Sequence, residues 1–273
     1  MRLDTRSPKD AVLNSKLVRD LLLEELEKRP HSNCNDLDCA TDDAIAYWRA
    51  TSKAGRVNSG KEAVELLTRS NRVQQDLQLG FLSHPESSEM LIVRKWSDIN
   101  PELEFRVFIV NNEITAITQY HKGLYVKSVA DNVDLVKSLI CDKFEEVKDK
   151  IIAPDQTYTI DFALLSDENN NEFPFSKCIV VEINDPPPTA GTSLFEWDDE
   201  EDRKILQNGP FTIRVQEQPL SWEEMQMKSS FHPPLIQLID EYRGRIQNDD
   251  IKEEHGTSNY ISSLWNRLRF KKQ

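Results

Sequence analysis

Glycine is scarce in this sequence, with eight residues in 273 against 13 prolines and four cysteines. So few glycines leave little material for Gly-rich phosphate loops. Four cysteines in a chain of this length exclude a disulfide framework. No Asn-x-Ser/Thr sequon is present either, and both absences suit a reducing compartment. No run of about 18 apolar residues occurs, so no membrane span is expected. The first residues, Met1-Arg2-Leu3-Asp4-Thr5-Arg6, lack the apolar stretch of a signal peptide, and a cytoplasmic location is the expectation. Basic residues are outnumbered, 34 against 47 acidic ones, for a formal net charge of −13. That balance argues against a protein that grips nucleic acid through broad phosphate contact. What is present suffices for a sizeable core: 38% of residues are hydrophobic and 8% aromatic. The length fits one elaborated α/β domain or two smaller ones.

Local signals order the chain. Ser7 is a good N-cap, Pro8 suits a first helical position, and Leu17, Leu21, Leu22 and Leu26 follow at helical spacing until Pro30. Residues 31–43 are turn-rich and acidic and read as a surface loop. Ser59 and Glu62 form a capping box ahead of Ala63, Leu66 and Leu67. The period then changes. Met90–Trp96 reads as a strand, Glu104–Val110 alternates with period two, and Asn111-Asn112 is a two-residue hairpin turn before a return strand from Ile114 to Tyr120. A helix is predicted near 132–148, strands over 157–164 and 178–184, an acidic helix near 197–206 and a strand near 211–217. Leu235, Leu238, Ile239, Tyr242 and Ile246 mark one more helix. Residues 247–260 read as a polar linker, and Leu264 to Lys272 as a basic amphipathic tail.

Two motifs dissolve on inspection. Gly55 to Lys61 nearly matches a P-loop, but Glu62 stands where a magnesium-holding Ser or Thr is required, and no hydrophobic strand precedes it. Cys34 and Cys39, with His31 nearby, are too widely spaced for a structural zinc pair, and no second pair exists. No nucleophile constellation of the Gly-x-Ser-x-Gly or His-Glu-x-x-His kind is present.

The acids on the two late strands are different. Asp161 interrupts an otherwise apolar strand, and Glu182 and Asn184, two residues apart, share one strand face while Ile179, Val181 and Ile183 take the other. If the strands pair antiparallel, three oxygen-bearing side chains converge on one patch, suited to a hard cation such as magnesium. The alternative is a sheet face that is polar because it meets water. Arg94 and Trp96 share a strand face with Lys95 opposite, and Glu104 and Arg106 share a face of the next strand. Cations, an aromatic surface and carboxylates side by side are what binding a magnesium nucleotide requires; the alternative is cross-strand ion pairing.

Leu91 to Trp96, Ile99-Asn100-Pro101, Glu104 to Phe108, Asn111-Asn112-Glu113 and Thr118-Gln119-Tyr120 together resemble the core of the cell division cycle protein 123 family. Ser7-Pro8-Lys9-Asp10-Ala11 is similar to an (S/T)PKDA element of that family, and Pro186 to Trp197 resembles its Pro/Gly loop and the helix it leads to. The resemblance covers about residues 1–200. It implies an α+β, ATP-grasp-like fold with a mostly antiparallel central sheet and flanking helices, over residues 1–246. It implies ATP and magnesium as ligands, with Asp161, Glu182 and Asn184 holding the metal, Lys95 and Trp96 as the hinge beside adenine, and Arg106 reaching the phosphates. It also implies a role as an assembly chaperone, binding the gamma subunit of eukaryotic translation initiation factor two, with no catalytic residue and a monomeric state.

The chain departs from that pattern in several places. Arg2 stands where the family carries a phosphate-contacting Lys, Glu182 replaces an Asp, and Asp185-Pro186-Pro187-Pro188 replaces Pro-Phe-Gly. The lobe that precedes Arg2 in the family is expected to be missing, and residues 31–50 read as an insertion. The other readings are an ATP-grasp carboxylate ligase, which Glu182-x-Asn184 supports, and an interaction module with a degenerate pocket.

Overall fold

A computed structural model describes residues 2–3, 7–28, 36–83, 90–166 and 175–246. The predicted linker and tail, and Cys34 and His31, lie outside the described residues. A helical layer and a five-stranded sheet face each other, and each has its own apolar core.

The helical layer begins with a correction. Instead of one helix from Ser7 there are two, α1 (Lys9–Leu13) and α2 (Lys16–Glu27). Ser15 supplies the cap that separates them, its Oγ accepting from Val18 N at 3.1 Å. The restart turns Val18, Leu22 and Leu26 into the core and leaves Leu17 half exposed. Ser15→Ala is expected to lower stability by about 1 kcal/mol, the usual worth of such a cap, as a shift of the urea midpoint at unchanged slope.

The predicted acidic loop is a second correction. Helix α3 (Asp36–Ala54) takes up residues 36–43, because Ala40, Ala44, Tyr47 and Ala50 make a buried stripe. Asp43, fully buried, pairs with Arg243 at 3.3 Å. Helix α4 (Gly60–Thr68) starts at Ser59 as expected, with Ser59 Oγ accepting from Glu62 N. The return bond differs, since the Glu62 carboxylate accepts from Asn58 N. Helix α5 (Asn71–Ser83) follows, unforeseen from the sequence.

The expected strand over Met90–Trp96 shrinks to two residues. Strand β1 (Arg2–Leu3) pairs antiparallel with β2 (Leu91–Ile92), and residues 93–100 follow no regular pattern. Arg94 turns away from any ladder and donates to the carbonyl of Val181.

The main sheet holds β3 (Glu104–Val110), β4 (Glu113–Gln119), β5 (Tyr158–Ser166), β6 (Phe175–Asn184) and β7 (Thr212–Arg214), in the order β6-β5-β3-β4-β7. All neighbours are antiparallel except β4 and β7. The hairpin turn is the predicted one: Asn111 and Asn112 both adopt positive φ, 53° and 63°, the backbone a two-residue turn needs. Alternation divides each strand between two faces. After a single-turn helix α6 (Lys127–Ala130) comes α7 (Val133–Val147), on which Phe105, Val107, Ile109, Ile160 and Phe162 pack through Val136, Ile140 and Phe144. On the opposite face, Phe108 and Ala116 pack on α8 (Glu200–Asn208) through Ile205 and Leu206. The fold is α+β with a mostly antiparallel sheet, as expected.

The pairing of β6 departs from simple alternation. Asp161 lies opposite Glu182, but Phe162 lies opposite Val180, so Val181 is an extra residue. Cys178 and Val180 therefore enter the core, whereas Ile183 stays 46% exposed. This corrects the expectation that Ile179, Val181 and Ile183 share the other face. Two further helices, α9 (Trp222–Lys228) and α10 over 233–246, complete the helical layer. Helix α9 carries a full capping box of Ser221 and Glu224.

Candidate functional site

The face of the sheet turned toward the helical layer carries the polar residues of β3, β5 and β6. Register places Asp161 beside Arg106 on one side and Glu182 on the other. Arg106 is fixed by three hydrogen bonds and a ring contact. Its Nε and Nη2 donate to Asp161 Oδ1 and Oδ2, each at 2.8 Å, and Nη1 donates to the Gly191 carbonyl at 3.1 Å. Its guanidinium lies 4.9 Å from the centre of the Tyr120 ring, and its Nη1 is the nearest atom a Cβ at position 191 would meet, at 3.4 Å. Asn184 Nδ2 also donates to Asp161 Oδ2, at 2.7 Å. Asp161, Glu182 and Asn184 are thus brought together, with Asp161 only 1% exposed and both its oxygens engaged.

The electrostatics follow from burial and crowding. Burial pushes the Asp161 carboxyl up, the Arg106 bonds oppose this, and Glu182 adds to the rise. Arg106 is held above its ordinary value because the bonds and charge of Asp161 outweigh the penalty of burial. Glu104 is pushed up to about 7, first by burial and then by the charges of Asp161 and Glu182, against Lys9 and Arg94. His121, stacked on Trp48 at 4.0 Å, is pushed down to about 3 by burial and is a neutral imidazole.

A cleft of about 1020 Å³ opens between the sheet and helices α1, α3 and α4. Six basic side chains line it, Lys9, Arg72, Arg94, Arg106, Lys122 and Lys228, against two carboxylates, Glu104 and Glu182. A chain of net charge −13 therefore concentrates positive charge at this opening. Of the residues singled out from sequence, Arg94, Glu104, Arg106 and Glu182 line the cleft. Asp161 and Asn184 support its wall from behind. Lys95 is exposed, Trp96 is half-buried, and neither lines the cleft. Arg2 sits on β1 opposite Ile92, and its side chain lies outside the described residues.

Sequence reasoning did not assign Lys9, Arg72, Tyr120, Lys122 or Lys228. Lys9 and Tyr120 had a signal, since each falls within a block that carries the family resemblance. The other three have none, because they reach the cleft only through packing of separate helices and turns.

The donors fit a hard cation. Glu104 and Glu182 offer oxygen, and Glu104, pushed up first by burial and then by neighbouring carboxylates, would be relieved by a divalent cation. Among the described residues, no three His, Cys, Asp or Glu side chains group closely enough to hold a metal alone.

Comparison with known proteins agrees with this architecture. The D123 family model matches residues 40–256. The translation initiation factor eIF2 assembly protein of Vanderwaltozyma polyspora is 31% identical over 183 residues, which are 63% of this chain and 45% of that protein. Cell division cycle protein 123 of Yarrowia lipolytica is 29% identical over 156 residues, 56% of this chain and 39% of that protein. The chain thus spans less than half the length of these curated relatives. The solved structure of C-terminally truncated Cdc123 from Schizosaccharomyces pombe superposes with a TM-score of 0.51 at 19% identity, covering 78% of this chain and 70% of that one, a likeness of fold.

Proposed function

The chain belongs to the D123 family, and from that premise we propose that it binds a magnesium nucleotide, ATP, in the cleft and assists assembly of eukaryotic translation initiation factor two through its gamma subunit. The observation that carries the ligand is the charge reversal: a cationic cleft in an acidic chain, with two carboxylates set among the cations. Arg106 and Arg94 face the phosphate chain, and Arg106 is already oriented by Asp161, so little side-chain freedom is lost on binding. Glu104 and Glu182 hold the metal side. Bound magnesium would neutralise phosphate charge and fix its orientation there. The factor is inferred from what the relatives are named for, and the gamma subunit from the family resemblance alone.

Calorimetric titration tests the ligand. Wild-type protein is expected to take up ATP at least about tenfold more tightly with magnesium than with chelator, as two lost carboxylate contacts would be felt. The Glu104→Gln, Glu182→Gln double variant should lose that magnesium dependence and keep the fold. Equal heats with and without magnesium in the wild type overturn the metal assignment, and no heat at all overturns the nucleotide. Capture of purified gamma subunit by the immobilised chain tests the partner, and its absence with and without Mg-ATP removes that part of the reading.

A further inference from the structure

The helical end of the cleft is built differently from the strand end. Arg94, Glu104, Arg106 and Glu182 lie on the strand side, with Ile92 and Ile183 as exposed apolar neighbours. The helical side is lined by Val12 and Leu13 of α1, Tyr47 and Trp48 of α3 and Leu66 of α4, together with His121 just beyond β4. The Trp48 and His121 rings are stacked, 4.0 Å between centres and 27° between planes. Other aromatic rings fix the pair in place. Tyr47 meets Trp48 edge-on at 4.8 Å, and Phe231 packs on Tyr47 and Trp48 at 4.7 and 5.6 Å. Tyr47 Oη in turn accepts from His232 N at 2.9 Å.

The polar atoms of this stack are unspent. Burial first, and then the charge of Lys9, keep His121 a neutral imidazole, with one N–H donor and one acceptor nitrogen. Among the described residues neither nitrogen has a hydrogen-bond partner. Trp48 Nε1 is buried and has no partner either. A packed core ordinarily satisfies such atoms, whereas here both rings line an opening. A cation stands close by. Lys228, the last residue of α9, also lines the cleft and backs onto the turn after His121, where a Cβ at Gly123 would meet its Cβ at 3.6 Å. Ser229 Oγ donates to the Lys122 carbonyl and ties the two segments together.

We propose that this end of the cleft is a second ligand site and that it takes an aromatic carboxylate, its ring against Trp48 and His121 and its acid group toward Lys228. A flat ring gains from offset or edge contact with the stack beyond the area it buries. The neutral imidazole can bond a ring substituent with no charge of its own to desolvate. An anion is favoured because, among the described residues, the carboxylates that line the cleft are Glu104 and Glu182, both on the strand side. The site goes beyond the nucleotide reading and does not depend on it. The cleft, about 1020 Å³, is at the upper limit of the roughly 300–1,000 Å³ typical of pockets for one ligand, and the strand end stays open to a nucleotide.

Ligand-observed NMR of benzoate with the full chain, with and without saturating Mg-ATP, tests the site. Benzoate is expected to bind with a Kd on the order of 1 mM, the scale for so small a ligand, and to stay bound when Mg-ATP is added. Cyclohexanecarboxylate, which lacks the flat ring, and benzamide, which lacks the charge, should each bind about fivefold more weakly. Trp48→Leu should weaken benzoate by about fivefold or more and leave Mg-ATP unchanged. Ser52→Phe fills the lining of the cleft without emptying the core. It should exclude benzoate, and it decides the matter where Trp48→Leu fails to fold. Lys228→Met should weaken benzoate about threefold and benzamide not at all. Wild-type protein that does not bind benzoate, or binds cyclohexanecarboxylate equally well, overturns the proposal. So does a folded Trp48→Leu or Ser52→Phe variant that binds benzoate as the wild type does. Competitive displacement of benzoate by Mg-ATP overturns it too, since the ring pair then holds the base of the nucleotide. Benzoate binding without any uptake of Mg-ATP leaves this site standing and defeats the nucleotide reading.

Discussion

Asp161→Ala should lower the stability of the protein by about 3–5 kcal/mol, the largest single effect expected in the site. The carboxylate receives two N–H bonds from Arg106 and one from Asn184. Removing it strands the charge of Arg106, a residue only 9% exposed, with Gly191 O and the Tyr120 ring as its remaining company. The loss arises from the stranded charge and not from the pair's net worth, which burial keeps small. Two companion variants make the point separable. Asp161→Asn keeps an acceptor and should fall between wild type and alanine. Asp161→Leu combined with Arg106→Met removes both charges, and should recover most of the stability while abolishing any tight polyphosphate binding. Urea unfolding of all four proteins checks this. An Asp161→Ala value within about 1 kcal/mol of wild type would show that water from the cleft solvates the guanidinium, since exposed pairs are worth no more than that.

Stability should also fall as pH rises from about 4.5 to 7, through Glu104. Its folded value is about 7, against an ordinary 4.5, because burial and then the neighbouring carboxylates disfavour its charge. In that window the folded chain binds the proton and the unfolded chain does not. The slope of stability with pH is set by protons bound unfolded minus folded, so it is negative. Each pK unit is worth about 1.4 kcal/mol, and the full effect is about 3 kcal/mol, reached above pH 7 and absent below 4.5. Glu104→Gln carries no such penalty, and its advantage over wild type should grow by about that amount between pH 4.5 and 8. Urea midpoints of both proteins across this range, with chelator and without nucleotide, give the measurement. Parallel curves would mean that Lys9 and Arg94 compensate Glu104 fully.

The sheet is more legible in the sequence than the helices are. The hairpin of β3 and β4 was legible because alternation is local and Asn111-Asn112 states its turn, and α7 because its stripe recurs at helical spacing. Asp161 and Glu182 stood out as acids inside apolar strands, which needs no tertiary knowledge. The acidic stretch opening α3 hid a helix because its buried stripe is mostly alanine, which signals little, and Asp43 is buried against Arg243, 200 positions away. The extra residue Val181 is equally invisible, since a bulge exists only relative to the strand it pairs with. The site was legible where one strand supplied two members and illegible where the layers meet. Lys9 and Tyr120 are 111 residues apart, and nothing in either neighbourhood announces the other.

The irregularity in β6 bears on solubility as well as on ligand. This strand is an outer one of the main sheet, and its outer side would offer a passing chain a straight row of backbone groups. The bulge at Val181 interrupts that row, and Arg94 occupies the carbonyl at the break with a charged group. Edge strands with a kink and an adjacent cation are poor templates for pairing. A nucleotide that drew Arg94 toward its phosphates would uncover this carbonyl, so the protein's resistance to self-association should be greatest when the cleft is empty.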